Sequence, residues 1–507
     1  MLRRTIDWFT DRFFGAWAYS VTPEKIPDVR SPILLWDIET LTSKIRSREV
    51  TCQTVVETYI DRIEEVNGIL NCVVERNYES ARKNAAFLDD LLLKENENIE
   101  LLPLIGVPFT VKCSYDVEGL PISVGVISLR NRICDQNAQV VQCLIDKGAI
   151  LLAVTNVSEL CMWYECYNPV YGRTNNPHDT RRTCGGSTGG EGALVASAGT
   201  AFGIGSDIGG SLRMPACFNG VFTHKSSPGL ISNEGQFPVV KNQLLQYLAT
   251  GPICRYAPDL SFLCKILFQD QMPNNTLPYS LPEPLDLKKK VTFYFMRDDG
   301  GNQGVSRPDP FVRASFERLL NTLGACGARV EEVHFREMKF SADMWEALYF
   351  GADSPPFAQD LGRTGHPIIP YWEFLKWICF ASEHSLPAVL LCIAEKRHDR
   401  SNYKKYQTMC ELLFSKFQDV LGEHNVFLYP THPRIAPYHR QALFMPHNFA
   451  YTGIFNVLGL PVTQCPIHRE GEVPTGVQIV ASRNNDHLTL AVARYFEGIV
   501  SSWIHPF

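Results

Sequence analysis

The sequence has no long run of lysine and arginine, and its 48 basic residues are outnumbered by 54 acidic ones, for a formal net charge of -6. Nucleic-acid binding needs a concentrated basic surface, so this class of function is excluded. The sequence contains no uncharged apolar stretch of 18 or more residues, so a membrane-spanning helix is not predicted. With 45% hydrophobic residues among 507, the composition is that of a large globular protein.

The 16 cysteines contain no C-x-x-C pair, and the two closest, Cys161 and Cys166, are not followed by histidine at a ligand spacing. A structural zinc site is therefore not expected. Sixteen thiols are also too few for a disulfide scaffold in a chain of this length, so we expect most of them to be buried and reduced. This thiol content, without a recognisable signal peptide, is typical of a reducing intracellular compartment.

Residues 1–30 are predicted to form an amphipathic helix and a lead-in segment. The apolar residues of one helical face recur at steps of three and four: Leu2, Ile6, Phe9, Phe13 and Trp17. Two interpretations stay open, since this face could lie in a membrane interface or pack on the body of the protein.

The remaining residues, 31–507, are predicted to form a single domain of strands and helices. A buried strand over 104–112 is followed by a helix over 137–147, which Gly148 separates from an apolar strand over 149–154. This order is typical of a parallel or mixed sheet covered by helices.

Three further elements are predicted outside that unit. Thr51 caps an amphipathic helix that ends before Gly68. A helix over 311–323 is followed by a strand over 328–335. The stretch 269–283, rich in proline and asparagine, is predicted to be a surface connection.

Glycine and serine are concentrated in two tracts, Cys184-Gly-Gly-Ser-Thr-Gly-Gly-Glu-Gly192 and Gly203-Ile-Gly-Ser-Asp-Ile-Gly-Gly-Ser-Leu-Arg213. Such glycines mark tight turns or a close approach of backbone to a ligand. A phosphate-binding loop would need a lysine that is missing here, and Gly203, Gly205 and Gly209 have one residue too many for the dinucleotide motif. No organic cofactor is therefore predicted.

The segment Ile208, Gly209 and Gly210, directly before Ser211, suits a different ligand. Successive small residues let several backbone N–H groups converge on one point, where they hold the negative oxygen of a tetrahedral intermediate. Ser211 would then attack the carbonyl carbon. We predict Lys112 as its base, because it ends a buried strand and burial lowers the pKa of a lysine toward neutrality.

These motifs, in this order, resemble the amidase-signature family. The residues that carry the resemblance are Lys112, Gly-Gly-Ser187-Thr-Gly-Gly and Gly-Ser-Asp207-Ile-Gly-Gly-Ser211-Leu-Arg-Met-Pro215. The spacings of 75 residues from Lys112 to Ser187 and of 24 from Ser187 to Ser211 match the family pattern. The resemblance implies an α/β fold, with a large twisted mixed β-sheet covered by helices on both faces. Thr188 and Ser226 depart from the pattern, which usually has serine and proline there.

The resemblance also implies hydrolysis of carboxylic amides, with neither metal nor cofactor. Neutral Lys112 accepts a proton from Ser187, which follows a cis peptide bond, and Ser187 accepts one from Ser211. Ser211 forms an acyl-enzyme while the N–H groups of residues 208–211 hold the oxyanion. Asp207 and Arg213 are expected to pair and so to fix the loop.

Residues 371–393 are rich in aromatic and aliphatic side chains, and Pro387 would break any single helix among them. They form ordinary core, an acyl-chain channel or a membrane-facing cap. Together with Glu191, the wider segment 370–395 resembles the fatty acid amide hydrolases of the family, which implies a lipid amide as substrate. Cys161 aligns with a substrate contact of the family and is expected to line the acyl pocket. Peripheral contact with an intracellular membrane and a homodimer are further expectations.

Three alternatives stay open. The substrates could be small or aryl amides, or the chain could bind lipids without catalysis. The sequence Gly185-Gly-Ser187-Thr-Gly189 also fits a nucleophile elbow, with Ser187 as nucleophile. That elbow must follow a strand directly, and residues 181–184 are predicted to be a poor strand.

Overall fold

The computed structural model describes residues 2–94, 97–271, 291–352, 355–363, 366–500 and 502–506. In this part of the chain, eleven strands form one mixed β-sheet. From edge to edge they are β1 (Val73–Arg76), β3 (Ile150–Thr155), β2 (Pro108–Lys112), β8 (Phe202–Asp207), β10 (Ala249–Cys254), β9 (Phe222–Lys225), β14 (Val462–Pro466), β15 (Gly476–Val480), β13 (Val426–Pro430), β11 (Thr292–Phe295) and β12 (Arg329–Glu332). Two hairpins lie outside it: β4 (Tyr167–Asn168) with β5 (Gly172–Arg173), and β6 (Asn175–Asn176) with β7 (Asp179–Thr183).

Sixteen α-helices lie within the described residues. They are α1 (Leu2–Tyr19), α2 (Ile38–Arg46), α3 (Cys52–Leu70), α4 (Tyr78–Leu93), α5 (Gln139–Asp146), α6 (Gly189–Ala196), α7 (Arg213–Asn219), α8 (Ala257–Gln271), α9 (Pro310–Ala325), α10 (Ser341–Phe350), α11 (Phe357–Leu361), α12 (Pro370–Ile378), α13 (Leu386–Arg397), α14 (Tyr403–Leu421), α15 (Ala450–Val457) and α16 (Asp486–Glu497).

Helices cover both faces of the sheet, which confirms the fold that the resemblance implies. Helices α8 and α16 contact each other and pack on strands β9, β10 and β14, while α6 and α7 form a second pair on β8, β9 and β14. Every residue of β2, β3 and β8 is buried. Strands covered on both faces are almost continuously apolar, so polar residues at their ends, such as Lys112 and Asp207, are conspicuous.

Several predicted elements are present with shifted ends. The predicted helix over 137–147 is α5, and the strand over 149–154 is β3. The helix after Thr51 continues to Leu70, so its predicted end before Gly68 is wrong. Asn71 ends this helix in the left-handed region, with φ of 50°, a conformation that asparagine tolerates well.

The other elements differ in extent. A strand is predicted over 104–112, but the observed strand β2 occupies only the second half of that range. The strand predicted over 328–335 is observed as the shorter β12. Residues 269–271 belong to helix α8, so that part of the predicted surface connection is wrong, and residues 272–283 lie outside the described residues. Pro387 lies in the first turn of a separate helix, α13, where proline is tolerated.

Helix α1 turns its aromatic face away from the protein. Phe9, Phe13 and Trp17 are 61%, 69% and 40% exposed, so the interpretation that this face packs on the body is wrong for these residues. The opposite face is docked: the Asp7 carboxylate accepts a hydrogen bond from Ser306 Oγ at 3.0 Å. No helix in the described ranges combines the length and the apolarity needed to cross a bilayer.

Candidate active site

Three sequence-predicted residues meet at the carboxyl end of β2. Lys112, the last residue of this strand, is fully buried, and its Nζ donates a hydrogen bond to Ser187 Oγ at 2.8 Å. Ser211 lines the same small cavity of about 40 Å³ as Lys112 and Ser187. The strand order explains this meeting, since β2 lies next to β8, which ends at Asp207, four residues before Ser211.

Lys112 has two hydroxyl partners rather than an acidic one. Burial lowers the pKa of its ammonium group below the usual 10.5, an effect that the nearby Cys161 and Asp207 partly oppose. Its second partner is Ser206 Oγ, at 2.9 Å, which sequence reasoning missed. The only sequence indication for this residue was its place inside the Gly-Ser-Asp207 motif.

The loop that carries Ser187 is held by tight packing. The Gly186–Ser187 peptide bond is cis, as the resemblance implies, and a Cβ at Gly186 would lie 2.5 Å from the Trp163 carbonyl oxygen. The Thr188 N–H donates to the Ser211 carbonyl at 3.1 Å and so joins the two serine segments. The extra methyl group of Thr188 fits because residue 205 is glycine, where a Cβ would lie 2.3 Å from Thr188 Cγ2.

Two carbonyl groups of the loop that carries the predicted oxyanion donors accept hydrogen bonds from side chains of other elements. Trp345 Nε1 donates to the Ile208 carbonyl at 2.8 Å, and Thr452 Oγ1 donates to the Gly209 carbonyl at 2.7 Å. Both partners are far away in sequence and were not predicted. The Gly210 N–H donates to the Asp207 carboxylate at 2.7 Å, so it is already engaged.

That contact narrows the set of candidate donors. Within the described residues, the N–H groups of Ile208, Gly209 and Ser211 have no protein acceptor. These three N–H groups are therefore the ones that can donate hydrogen bonds to an oxyanion. Gly210 instead allows the turn of the loop, because its φ of 122° is accessible to glycine.

Asp207 and Arg213 form a fully buried ion pair with two contacts of 2.9 and 3.0 Å, as expected. Burial alone would raise the pKa of Asp207, but the Arg213 charge and hydrogen bonds from Arg213 and Asn456 hold it well below its usual range. The carboxylate also accepts hydrogen bonds from backbone N–H groups of the loop, at Gly210 and Leu212. The pair thus organises the turn that presents Ser211.

A larger cavity of about 390 Å³ begins at Ser211, and Ser187 does not line it. Ser211 is partly exposed, whereas Ser187 is fully buried. The elbow alternative is weakened by this difference in access. Strand β7 does precede the Ser187 loop, so the prediction of a poor strand over 181–184 is wrong, but β7 belongs to a hairpin outside the central sheet that an elbow requires.

The walls of the larger cavity are mostly apolar. Helix α13 contributes Pro387, Leu390, Leu391 and Ala394, and helix α10 contributes Trp345, Glu346 and Phe350. Cys161 lines both this cavity and the small one. The volume is within the roughly 300–1,000 Å³ typical of small-molecule sites.

Glu191 is a fully buried carboxyl group next to the site, and no basic side chain of the described residues pairs with it. Its two oxygens accept hydrogen bonds from Thr110 on β2 and Thr155 on β3, at 2.6 and 2.9 Å. Burial raises its pKa to about 8, although these hydrogen bonds lower it. Glu191 therefore connects helix α6 with the strand that ends at Lys112. In the described residues, no three metal-ligating side chains cluster.

A family model described as Amidase matches residues 54–490 of this chain. Fatty-acid amide hydrolase 2 of Homo sapiens is 41% identical over 503 residues, 96% of this chain and 92% of that protein. Fatty-acid amide hydrolase 2-B of Danio rerio is 42% identical over 494 residues, with 96% and 93% covered. A solved structure titled fatty acid amide hydrolase is similar in fold, with a TM-score of 0.75 and 21% identity over 97% of this chain and 89% of that chain. This chain therefore belongs to the amidase family of amide-hydrolysing enzymes.

Proposed function

We propose that this chain hydrolyses fatty acid amides to the free acid and the amine, through an acyl-enzyme on Ser211. One observation carries the proposal: Ser211 lines both a large apolar cavity and the small cavity that holds the buried Lys112–Ser187 hydrogen bond. Two nearly full-length relatives are named as fatty-acid amide hydrolases, which favours the same substrate class.

The mechanism follows from the order of the groups. Ser211 Oγ attacks the amide carbonyl carbon while its proton passes to Ser187 Oγ and the Ser187 proton passes to neutral Lys112 Nζ. The carbonyl oxygen becomes negative next to the N–H groups of Ile208, Gly209 and Ser211. The relay returns a proton to the nitrogen of the departing amine. Water then attacks the acyl-Ser211 carbonyl, with the same relay as base, and releases the acid.

A fatty acyl chain is the substrate part that suits the apolar walls. Each methylene group transferred from water contributes about 0.8 kcal/mol to the binding free energy. Contact with the side chains of α13 and α10 therefore stabilises the binding of a long acyl chain. Cys161 would contact the acyl chain near the carbonyl, since it lines both cavities. Short amides would leave most of this wall unfilled.

Two exposed apolar surfaces flank this cavity and suit contact with a membrane. The cap surface belongs to α12, which packs on the cavity-lining α13 and leaves Trp372 and Leu375 57% and 51% exposed. The α1 face, defined above by Phe9, Phe13 and Trp17, lies on a helix that packs beside Leu443, another lining residue. Exposed apolar patches of this kind mark interaction sites. A membrane so placed would deliver lipid amides directly to the cavity.

The test measures hydrolysis of oleamide and of a short aryl amide by the wild type and by Ser211→Ala, Ser187→Ala and Lys112→Ala. We expect oleamide to be the better substrate and a fluorophosphonate probe to label the wild type but not Ser211→Ala. Decisive preference for the aryl amide would contradict the fatty acyl assignment. Labelling that persists at Ser187 in Ser211→Ala would support the elbow instead.

Absence of labelling in the wild type, with lipid binding retained, would support a lipid-binding protein without catalysis. The homodimer and the location on an intracellular membrane stay predictions. Light scattering of the purified chain and imaging of the tagged chain in cells test them.

A further inference from the structure

The large cavity contains one ion pair in its otherwise mostly apolar wall. His447 Nε2 lies 3.2 Å from Glu346 Oε1, and both side chains line the cavity that begins at Ser211. They are 42% and 33% exposed, so they are accessible to a bound molecule. The hydrogen bond that His447 donates to the Glu346 carboxylate raises the pKa of His447 above its usual 6.5, although partial burial opposes this. The proposed proton relay uses neither residue.

The position of Glu346 on α10 separates it from the apolar end of the cavity. Glu346 and Phe350 are four residues apart and so lie on one helical face, about 6 Å apart along the axis. Phe350 points toward helix α13, since its ring lies 5.4 Å from that of His398 at the end of α13. Trp345, next to Glu346, holds the Ile208 carbonyl of the oxyanion loop. Glu346 therefore lies about one helical turn of α10 away from the residue that contacts the end of α13, and next in sequence to the residue that holds the oxyanion loop.

This layout assigns the two halves of an amide to different walls. An acyl chain laid against Glu346 and His447 would remove charged groups from water without replacing their hydrogen bonds. The chain is better placed along α13, which leaves the amine half beside the ion pair. Glu346 Oε2, for which no hydrogen bond is seen in the described residues, is an available acceptor there.

We propose that Glu346, held by His447, selects the amine half of the substrate: it favours amines that carry a neutral hydrogen-bond donor, such as a hydroxyl group, and disfavours amines that carry an anionic group. This inference rests on the proposed function, because it places the acyl chain and the scissile carbonyl as described above. Both residues bind and select; neither takes part in bond cleavage.

The test compares kcat/KM for N-oleoylethanolamine and N-oleoylglycine, which share the acyl chain and differ in a hydroxyl versus a carboxylate group. We expect the wild type to prefer the ethanolamide. Glu346→Gln should lower the ratio of the two kcat/KM values about fivefold to tenfold, since it removes one repulsive charge near the glycine carboxylate. His447→Gln should raise the ratio, because it leaves the Glu346 charge uncompensated.

Opposite shifts in one ratio cannot result from general loss of folded enzyme. Glu411→Gln is the matched control, because it removes a negative charge at an exposed position of the neighbouring helix α14 that does not line the cavity; it should leave the ratio unchanged. An equal ratio in wild type and Glu346→Gln, or shifts of the same sign in both variants, would overturn the inference. If the wild type cleaves no oleoyl amide at all, the proposed function itself has failed.

Discussion

Thr452 Oγ1 donates a hydrogen bond to the Gly209 carbonyl and occupies the space that a side chain at residue 210 would need. A Cβ at Gly210 would lie 2.0 Å from Thr452 Oγ1, and its φ of 122° suits only glycine. Helix α15, which carries Thr452, therefore sets the position of the oxyanion loop from outside the sequence motif.

The first prediction follows from this contact. Gly210→Ala should lower kcat by about 100-fold or more, because the loop must shift and displace the candidate donors at Ile208 and Gly209. Steady-state kinetics with oleamide measures the effect, and circular dichroism shows whether the variant is folded. Gly209→Ala is the matched control, since a Cβ there lies 3.4 Å from the Trp345 ring, an ordinary contact. Equal losses in both variants would contradict this reasoning.

The second prediction concerns the pH dependence of the proposed base. Lys112 accepts a proton only when neutral, so kcat/KM should rise with pH up to its lowered pKa and then level off. Lys112→Met should lose this rising limb and lower the rate by about 10²–10⁴-fold. The pH profile of oleamide hydrolysis measures both effects.

Lys225 provides the control for that experiment. It is another buried lysine, and burial first and the nearby Arg213 charge second lower its pKa to about 7. It lines neither cavity at Ser211. Lys225→Met should therefore keep the rising limb; if this variant loses it and Lys112→Met retains it, the assignment of the base is wrong.

The third prediction concerns stability and Glu191. The folded chain holds the Glu191 proton up to a pKa of about 8, whereas the unfolded chain releases it near 4.5. Between these values the folded state binds more protons, so the free energy of unfolding falls as the pH rises. Glu191→Gln has no carboxyl group to titrate, so its free energy of unfolding should not fall in this way. We expect its Tm to exceed that of the wild type at pH 8 but not at pH 5. Calorimetry at both pH values measures this, and an equal Tm difference at both would contradict it.

The fourth prediction tests the membrane surfaces separately. Replacing Phe9, Phe13 and Trp17 by serine removes the α1 face, and replacing Trp372 and Leu375 by serine removes the apolar part of the cap surface. Burial of such a side chain contributes about 1.5–3 kcal/mol, so each set should weaken binding to phosphatidylcholine vesicles at least tenfold. Vesicle sedimentation measures this, with hydrolysis of a short soluble amide as the control for folding. Unchanged sedimentation in both variants would refute the membrane contact.

The active-site motifs were predictable because each lies in a continuous stretch of chain. Lys112, Ser187 and Ser211 were named from the sequence, and the strand order then explains why their elements meet. Trp345 and Thr452 were not predictable, because they are 137 and 243 residues away from the carbonyl groups that they hold. Ser206 was not predictable, because nothing in its local sequence distinguishes it from serines that do not contact Lys112.

The fold was predictable in class and less so in detail. Periodicity identifies an apolar face of helix α1 but cannot show whether a neighbour covers it. In the structure a mixed face that includes Asp7, Phe14 and Ala18 is docked instead. Glycine in a helix pattern indicates an end, yet α3 passes through Gly68 because Asn71 provides the left-handed residue. Both errors arise where tertiary contacts or a neighbouring residue override a local preference.

The fifth prediction tests whether the α13 end of the cavity receives the acyl chain. Leu391→Trp adds volume to the apolar wall without adding charge, so it should shorten the space available to the chain. Because each excluded methylene group loses about 0.8 kcal/mol, the ratio of kcat/KM for an 18-carbon amide to that for an 8-carbon amide should fall at least tenfold. Leu412→Trp is the matched control, since Leu412 is half-exposed on α14 and lines no cavity at Ser211. A proportional loss for both chain lengths in Leu391→Trp would mean that the substitution disturbs the site generally and that the acyl chain lies elsewhere.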